Sequence, residues 1–102
     1  MNLEFYSEKR LKGEILEIIG KYLSLDDYKV FFFGSRVSGD NFLRSDIDIG
    51  IEGAKELPID VKFKIEEDIE RLPTLYRFEF VDFKRVSNDF KKEALKFVEY
   101  IR

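Results

Sequence analysis

The chain has 102 residues, with 18 Lys and Arg against 21 Asp and Glu, a formal net charge of −3, and no His, Cys or Trp. That length fits one domain over residues 1–102, and the missing residue types exclude a disulfide, a Cys nucleophile, a Ser-His-Asp triad and a Cys/His zinc centre. The mild negative charge argues against strong nucleic-acid binding, no apolar run approaches the roughly 20 residues of a membrane span, and MNLEFYSEKR lacks a signal-peptide core, so a cytoplasmic location is expected.

In chain order, Ser7 is suited to cap a first helix with Glu8 in its first turn, and Leu11, Ile15, Ile18, Ile19 and Tyr22 recur at helical spacing until about Ser24. Tyr28 to Phe33 is β-rich and apolar, the pattern of a buried strand that stops at Gly34-Ser35. Residues 34 to 45 read as a loop with room for one helical turn. Asp46 to Glu52 alternates strictly: Ile47, Ile49 and Ile51 share one face, and Asp46, Asp48 and Glu52 the other. Pro58 opens a second helix with Val61, Ile65, Ile69 and Leu72 as its apolar stripe, closed by Pro73. Tyr76 to Phe83 reads as a third strand. Ser87 is suited to cap a last helix that buries Phe90, Ala94, Phe97, Val98 and Ile101. The expected order is α-β-β-α-β-α, an α/β (α+β) domain.

The chemistry gathers around the loop. A Gly directly after a strand lets the backbone approach a ligand closely, and a Ser hydroxyl with neighbouring amides can hold phosphate oxygens. Ten residues beyond Gly34-Ser35, Asp46 and Asp48 stand at i and i+2 on one strand face. Two such carboxylates suit hard divalent cations with oxygen ligands: Mg²⁺, Mn²⁺ or Ca²⁺. A pair of ions can stabilise the attacking and leaving oxygens of an in-line phosphoryl displacement. Each part alone is ordinary, a turn and a half-exposed strand. Together, at this spacing, they arise by chance on the order of once in a thousand chains of this size at average residue frequencies.

Gly34-Ser35, ten residues, then Asp46-Ile47-Asp48 resembles the signature of the DNA polymerase β nucleotidyltransferase superfamily. The stretch GSRVSGDNFLRSDIDIGI and the tail YRFEFVDFKRVSNDFKKEAL resemble its minimal nucleotidyltransferases, small antitoxins paired with HEPN partners. The likeness spans about residues 10 to 100. It implies a nucleotidyltransferase fold, a small mixed sheet of three to four strands with helices mainly on one face. It implies an NTP substrate, usually ATP, and two Mg²⁺ ions. By the same resemblance Gly34 and Ser35 would hold the triphosphate, Arg36 would stand beside it, and Asp46 and Asp48 would bind metal; Ser45, at the end of the loop, is a further nucleotide-binding candidate whose alternative is to brace the Asp46 turn.

The family's third carboxylate lies on the next strand, where Glu79 and Asp82 compete. Glu79 fits the aligned pattern, and its parity, opposite to Phe78 and Phe80, puts it off the apolar face. Asp82 is then expected to be a solvated strand end. Glu in place of the family's usual Asp moves the carboxylate outward by a methylene, to which in-line chemistry is sensitive. Arg44 is expected to be a solvated loop charge. One domain leaves no room for an acceptor site, so the acceptor must come from a partner or from a second copy in a homodimer. The resemblance implies a helical HEPN-type partner carrying a Tyr hydroxyl that receives AMP, with Phe42 and Leu43 available at the interface. Two alternatives stand beside it: a non-catalytic module that neutralises the partner by occlusion, and half of a small-molecule nucleotidyltransferase, for which nothing shapes a sugar site.

Overall fold

The computed structural model describes residue 3, residues 6–34, residue 37 and residues 46–102. Helix α1 spans Glu8–Gly20, and Ser7 caps it as expected, its Oγ accepting from the Arg10 amide at 3.2 Å. The helix stops four residues short of Ser24, where the Lys21 amide turns back to the Ile18 and Ile19 carbonyls. A 3₁₀ turn at Leu25–Asp27 leads into β1, Lys29–Phe33. The chain continues through β2 (Ile47–Glu52), α2 (Ile59–Glu70), β3 (Phe78–Asp82), α3 (Asn88–Ala94) and β4 (Val98–Tyr100).

The four strands form one mixed sheet in the order β3-β2-β1-β4. β1 runs antiparallel to β2 and β4, and β2 runs parallel to β3. Strand alternation gives the sheet two apolar faces of unequal size. On the larger face Val30, Phe32, Ile47, Ile49, Ile51 and Phe80 pack against Leu11, Ile15, Ile18 and Ile19 of α1 and Ile65 and Ile69 of α2. Each such side chain stabilises the fold by about 1.5–3 kcal/mol relative to exposure. On the smaller face Phe31, Phe33 and Phe83 are covered by Val86, Ala94, Leu95 and Val98. Two of the three described helices therefore share one face, and the short α3 shields part of the other.

The C-terminal segment differs from the expected helix. α3 ends at Ala94, and Val98–Tyr100 pairs with Phe31–Phe33. Phe97, expected to be buried, is 52% exposed, while Ile101 packs on the larger core. The run Phe97, Val98, Ile101 satisfies helical spacing, yet it is short and β-rich. The open edge of β1 offers it a full set of backbone partners, and pairing wins.

Asp82 also departs from expectation. It is 2% exposed instead of solvated. One oxygen accepts from the Leu57 amide at 2.7 Å and the other from the Lys84 amide at 2.9 Å. Arg85 stands 3.5 Å away with Nε and donates through Nη2 to the Leu57 carbonyl at 2.6 Å. The carboxylate and the guanidinium thus staple the segment before α2 to the end of β3.

Candidate active site

The sheet topology gathers one end of three strands. β1 antiparallel to β2 sets Phe33 opposite Asp48, and β2 parallel to β3 sets Asp48 opposite Glu79. Directly opposed residues point to the same face, so Asp48 and Glu79 stand side by side on the smaller face. Asp46 lies just before β2 and is exposed; Glu79 is exposed and Asp48 half-buried. The Ile47 amide donates to the Arg77 carbonyl at 2.8 Å and fixes the register where the acids meet.

Gly34 follows β1 with φ at 87°. That is the left-handed region, which side chains disfavour. A Cβ at this position would also fall on the Asp48 carboxylate. The backbone at Gly34 therefore passes directly against Asp48, and its carbonyl accepts from the Val37 amide at 3.1 Å as the chain turns away. Gly34→Ala is expected to cost about 1–3 kcal/mol through strain and steric conflict. Denaturant titration at pH 7 measures this; an unchanged midpoint would mean the Asp48 side chain simply moves aside.

The acids feel one another. Burial, the charges of Glu79 and Asp46, and a hydrogen bond shared with Glu79 push the Asp48 carboxyl up to about 6. Such mutual repulsion disfavours full ionisation in the absence of a counter-charge. An all-oxygen donor set with excess negative charge fits a hard divalent cation. Among the described residues no three acidic groups are gathered tightly enough for one ion.

Behind the acids, along β2, Gly50 leaves the smaller face free for aromatic rings. A Cβ there would come within 2.8 Å of Phe83 Cε1 and would strike the Phe31 ring as well. Phe83 packs edge-on to Phe31 at 4.8 Å and to Phe33 at 5.1 Å between ring centroids. Phe90 adds its ring 6.2 Å from Phe33 and 5.9 Å from Phe83. Sequence reasoning did not separate this cluster from the main core. The signal for it was the unbroken Phe31-Phe32-Phe33 run, which buries both faces of β1.

Of the residues singled out from sequence, the fold brings Gly34, Asp48 and Glu79 together, with Asp46 at the margin. Ser35, Arg36 and Ser45, together with Arg44, Phe42 and Leu43, lie outside the described residues. Asp82 is three residues farther along β3, at the opposite end of the strand from the acids.

A family model described as polymerase beta, nucleotidyltransferase matches residues 14–101. The chain belongs to that family. A curated relative from Haemophilus influenzae, named probable protein adenylyltransferase MntA, is 28% identical over 89 residues, which is 85% of this chain and 78% of the relative. A crystal structure of a toxin–antitoxin with AMP-PNP superposes with a TM-score of 0.71 at 17% identity, covering 89% of this chain and 72% of the other. A structure of a tri-AMPylated Shewanella oneidensis HEPN toxin in complex with an MNT antitoxin gives a TM-score of 0.71 at 14% identity, covering 94% and 72%. At these identities the structural likeness speaks for the fold. The resemblance to minimal nucleotidyltransferases, drawn from the Gly-Ser and Asp-Ile-Asp motifs, is borne out. No helix among the described residues is long and apolar enough to cross a membrane.

Proposed function

We propose that this nucleotidyltransferase domain moves AMP from ATP to a Tyr hydroxyl of a HEPN-type helical partner, and so acts as an antitoxin. The observation that carries the reading is the close approach of Gly34 to Asp48, with Glu79 opposite Asp48, on one sheet face. The relative named as a probable adenylyltransferase, and the neighbouring fold found with an AMPylated HEPN toxin, support the choice of nucleotide and partner.

In this reading Gly34 and Ser35 hold the triphosphate, assisted by Arg36 and Ser45. Asp46, Asp48 and Glu79 would hold two Mg²⁺ ions. Bound ions would offset charge on the triphosphate and acidify the acceptor hydroxyl. Glu79, on the outer strand, takes the acceptor proton. The acceptor oxygen forms a bond to the α-phosphorus while the bond from that phosphorus to the bridging oxygen breaks, and pyrophosphate leaves. Positioning and charge stabilisation supply most of the rate.

The test is an intact mass of a HEPN-type partner after incubation with this protein, ATP and Mg²⁺. An AMP-sized gain is expected, and it should disappear with Glu79→Ala. Inhibition of the partner with no mass gain would overturn the transfer reading. It would favour the occlusion alternative, for which the longer Glu at position 79 and the loosely gathered acids speak.

A further inference from the structure

We propose that Phe90 is the wall on which the nucleobase stacks, an inference that rests on the nucleotidyl-transfer reading above. Phe90 lies on α3, over the sheet face that carries Asp48 and Glu79. Its ring is held edge-on to Phe33, at 82° between planes, and is tilted 58° against Phe83. Those two rings are buried, at 5% and 2% exposure, whereas Phe90 is 42% exposed. The ring is thus anchored in the aromatic cluster while part of it stays open to solvent.

The location gives that open part a use. Phe33 is the cross-strand partner of Asp48, and the next residue, Gly34, touches the Asp48 carboxylate. Phe90 is therefore one side chain removed from Asp48: its ring packs on Phe33, and Phe33 pairs across the strands with Asp48. A nucleotide whose phosphates lie at Gly34 and Asp48 spans that interval with its sugar and base. The neighbouring acids would repel an anion, but a neutral planar base loses nothing beside them and gains an apolar surface. Stacking is tolerant of base identity because every base has a π face. The wall therefore accounts for holding a nucleobase without choosing among purines.

The test compares MgATP with magnesium tripolyphosphate by calorimetry on the full chain. Phe90→Ala is expected to weaken ATP about 10-fold while changing tripolyphosphate less than about twofold. Phe90→Leu, which keeps apolar contact with Phe33 and Phe83 but has no π face, should lose ATP affinity similarly with the fold retained. Phe90→Trp should keep ATP binding. The chain has no other Trp, so its indole emission should change with ATP and stay constant with tripolyphosphate. Equal weakening of both ligands by alanine, undiminished ATP affinity, or a silent indole would overturn the proposal. If the wild type binds neither ligand, the nucleotide reading itself fails, a result distinct from all of these.

Discussion

Asp46→Ala combined with Asp48→Ala is expected to abolish nucleotidyl transfer, by at least roughly 10³-fold, while leaving the fold intact or slightly firmer. The two effects have one cause. Asp48 sits half-buried against Glu79 and near Asp46, and its carboxyl is pushed up to about 6. An unfolded Asp titrates near 3.9. A carboxyl raised in the folded state binds its proton more tightly there than in the unfolded chain. The native state is therefore favoured by protonation, and stability falls as pH rises from about 4 through about 6, then levels off. Removing the acid removes that loss. After allowance for solvent screening of a half-exposed group, the variant should be about 1–2 kcal/mol more stable than the wild type at pH 8, with little difference at pH 4. Asp48→Asn isolates the charge effect from lost packing. Denaturant titrations at pH 4, 6 and 8 measure it. Unfolding of the double variant would mean that the carboxylates are structural, and the catalytic assignment would lose its basis.

Asp82→Ala should do the reverse, damaging the fold first. The side chain is buried and accepts from two backbone amides, Leu57 and Lys84, beside Arg85. Truncation leaves the buried Leu57 amide without its acceptor and removes the oxygens that face the Lys84 amide and Arg85, which keeps Glu56 at 3.2 Å. Hydrogen bonds to charged groups are worth about 1.5–3 kcal/mol, and an unsatisfied buried donor adds to the cost, so a loss of about 3 kcal/mol is expected. For a domain of this size that lowers Tm by about 10–20 °C. Asp82→Asn, which keeps one acceptor oxygen, should recover part of it. Glu79→Ala, on an exposed strand position, should stay within about 0.5 kcal/mol of wild type. Calorimetry on the three variants separates the two acids of β3, one needed for folding and the other proposed for chemistry. A wild-type Tm for Asp82→Ala would refute the staple.

The sequence made some of this readable because strand and helix periods carry it. Asp46-Ile47-Asp48-Ile49 announces which side of β2 faces the core, and Ser7 and Ser87 mark two helix starts with cap hydrogen bonds that the structure contains. Glu79 and Asp82 separate by parity, and the fold sends them to different surroundings. What parity could not supply was long-range geometry. Asp82 looks like any polar strand end until the chain before α2 returns to it, because its partner Leu57 is 25 residues away. Phe97, Val98 and Ile101 fit a helix as well as a strand, and only the unpaired edge of β1 decides between them. Phe90 was expected as plain core. Its half-open position depends on where a seven-residue helix comes to rest across the smaller face.

The strand order carries a mechanical consequence. β1 is hydrogen-bonded on both sides, to β2 and β4, and the Gly34 turn leaves from its end. Glu79 sits on β3, which among the described residues has a sheet neighbour on one side only. Strands paired twice open rarely, and marginal ones open more readily. The pocket is thus stiff on the donor side, where a small, highly charged molecule must be held in register. It is more compliant at Glu79, the side to which the proposed acceptor, a whole macromolecule, would have to come and go.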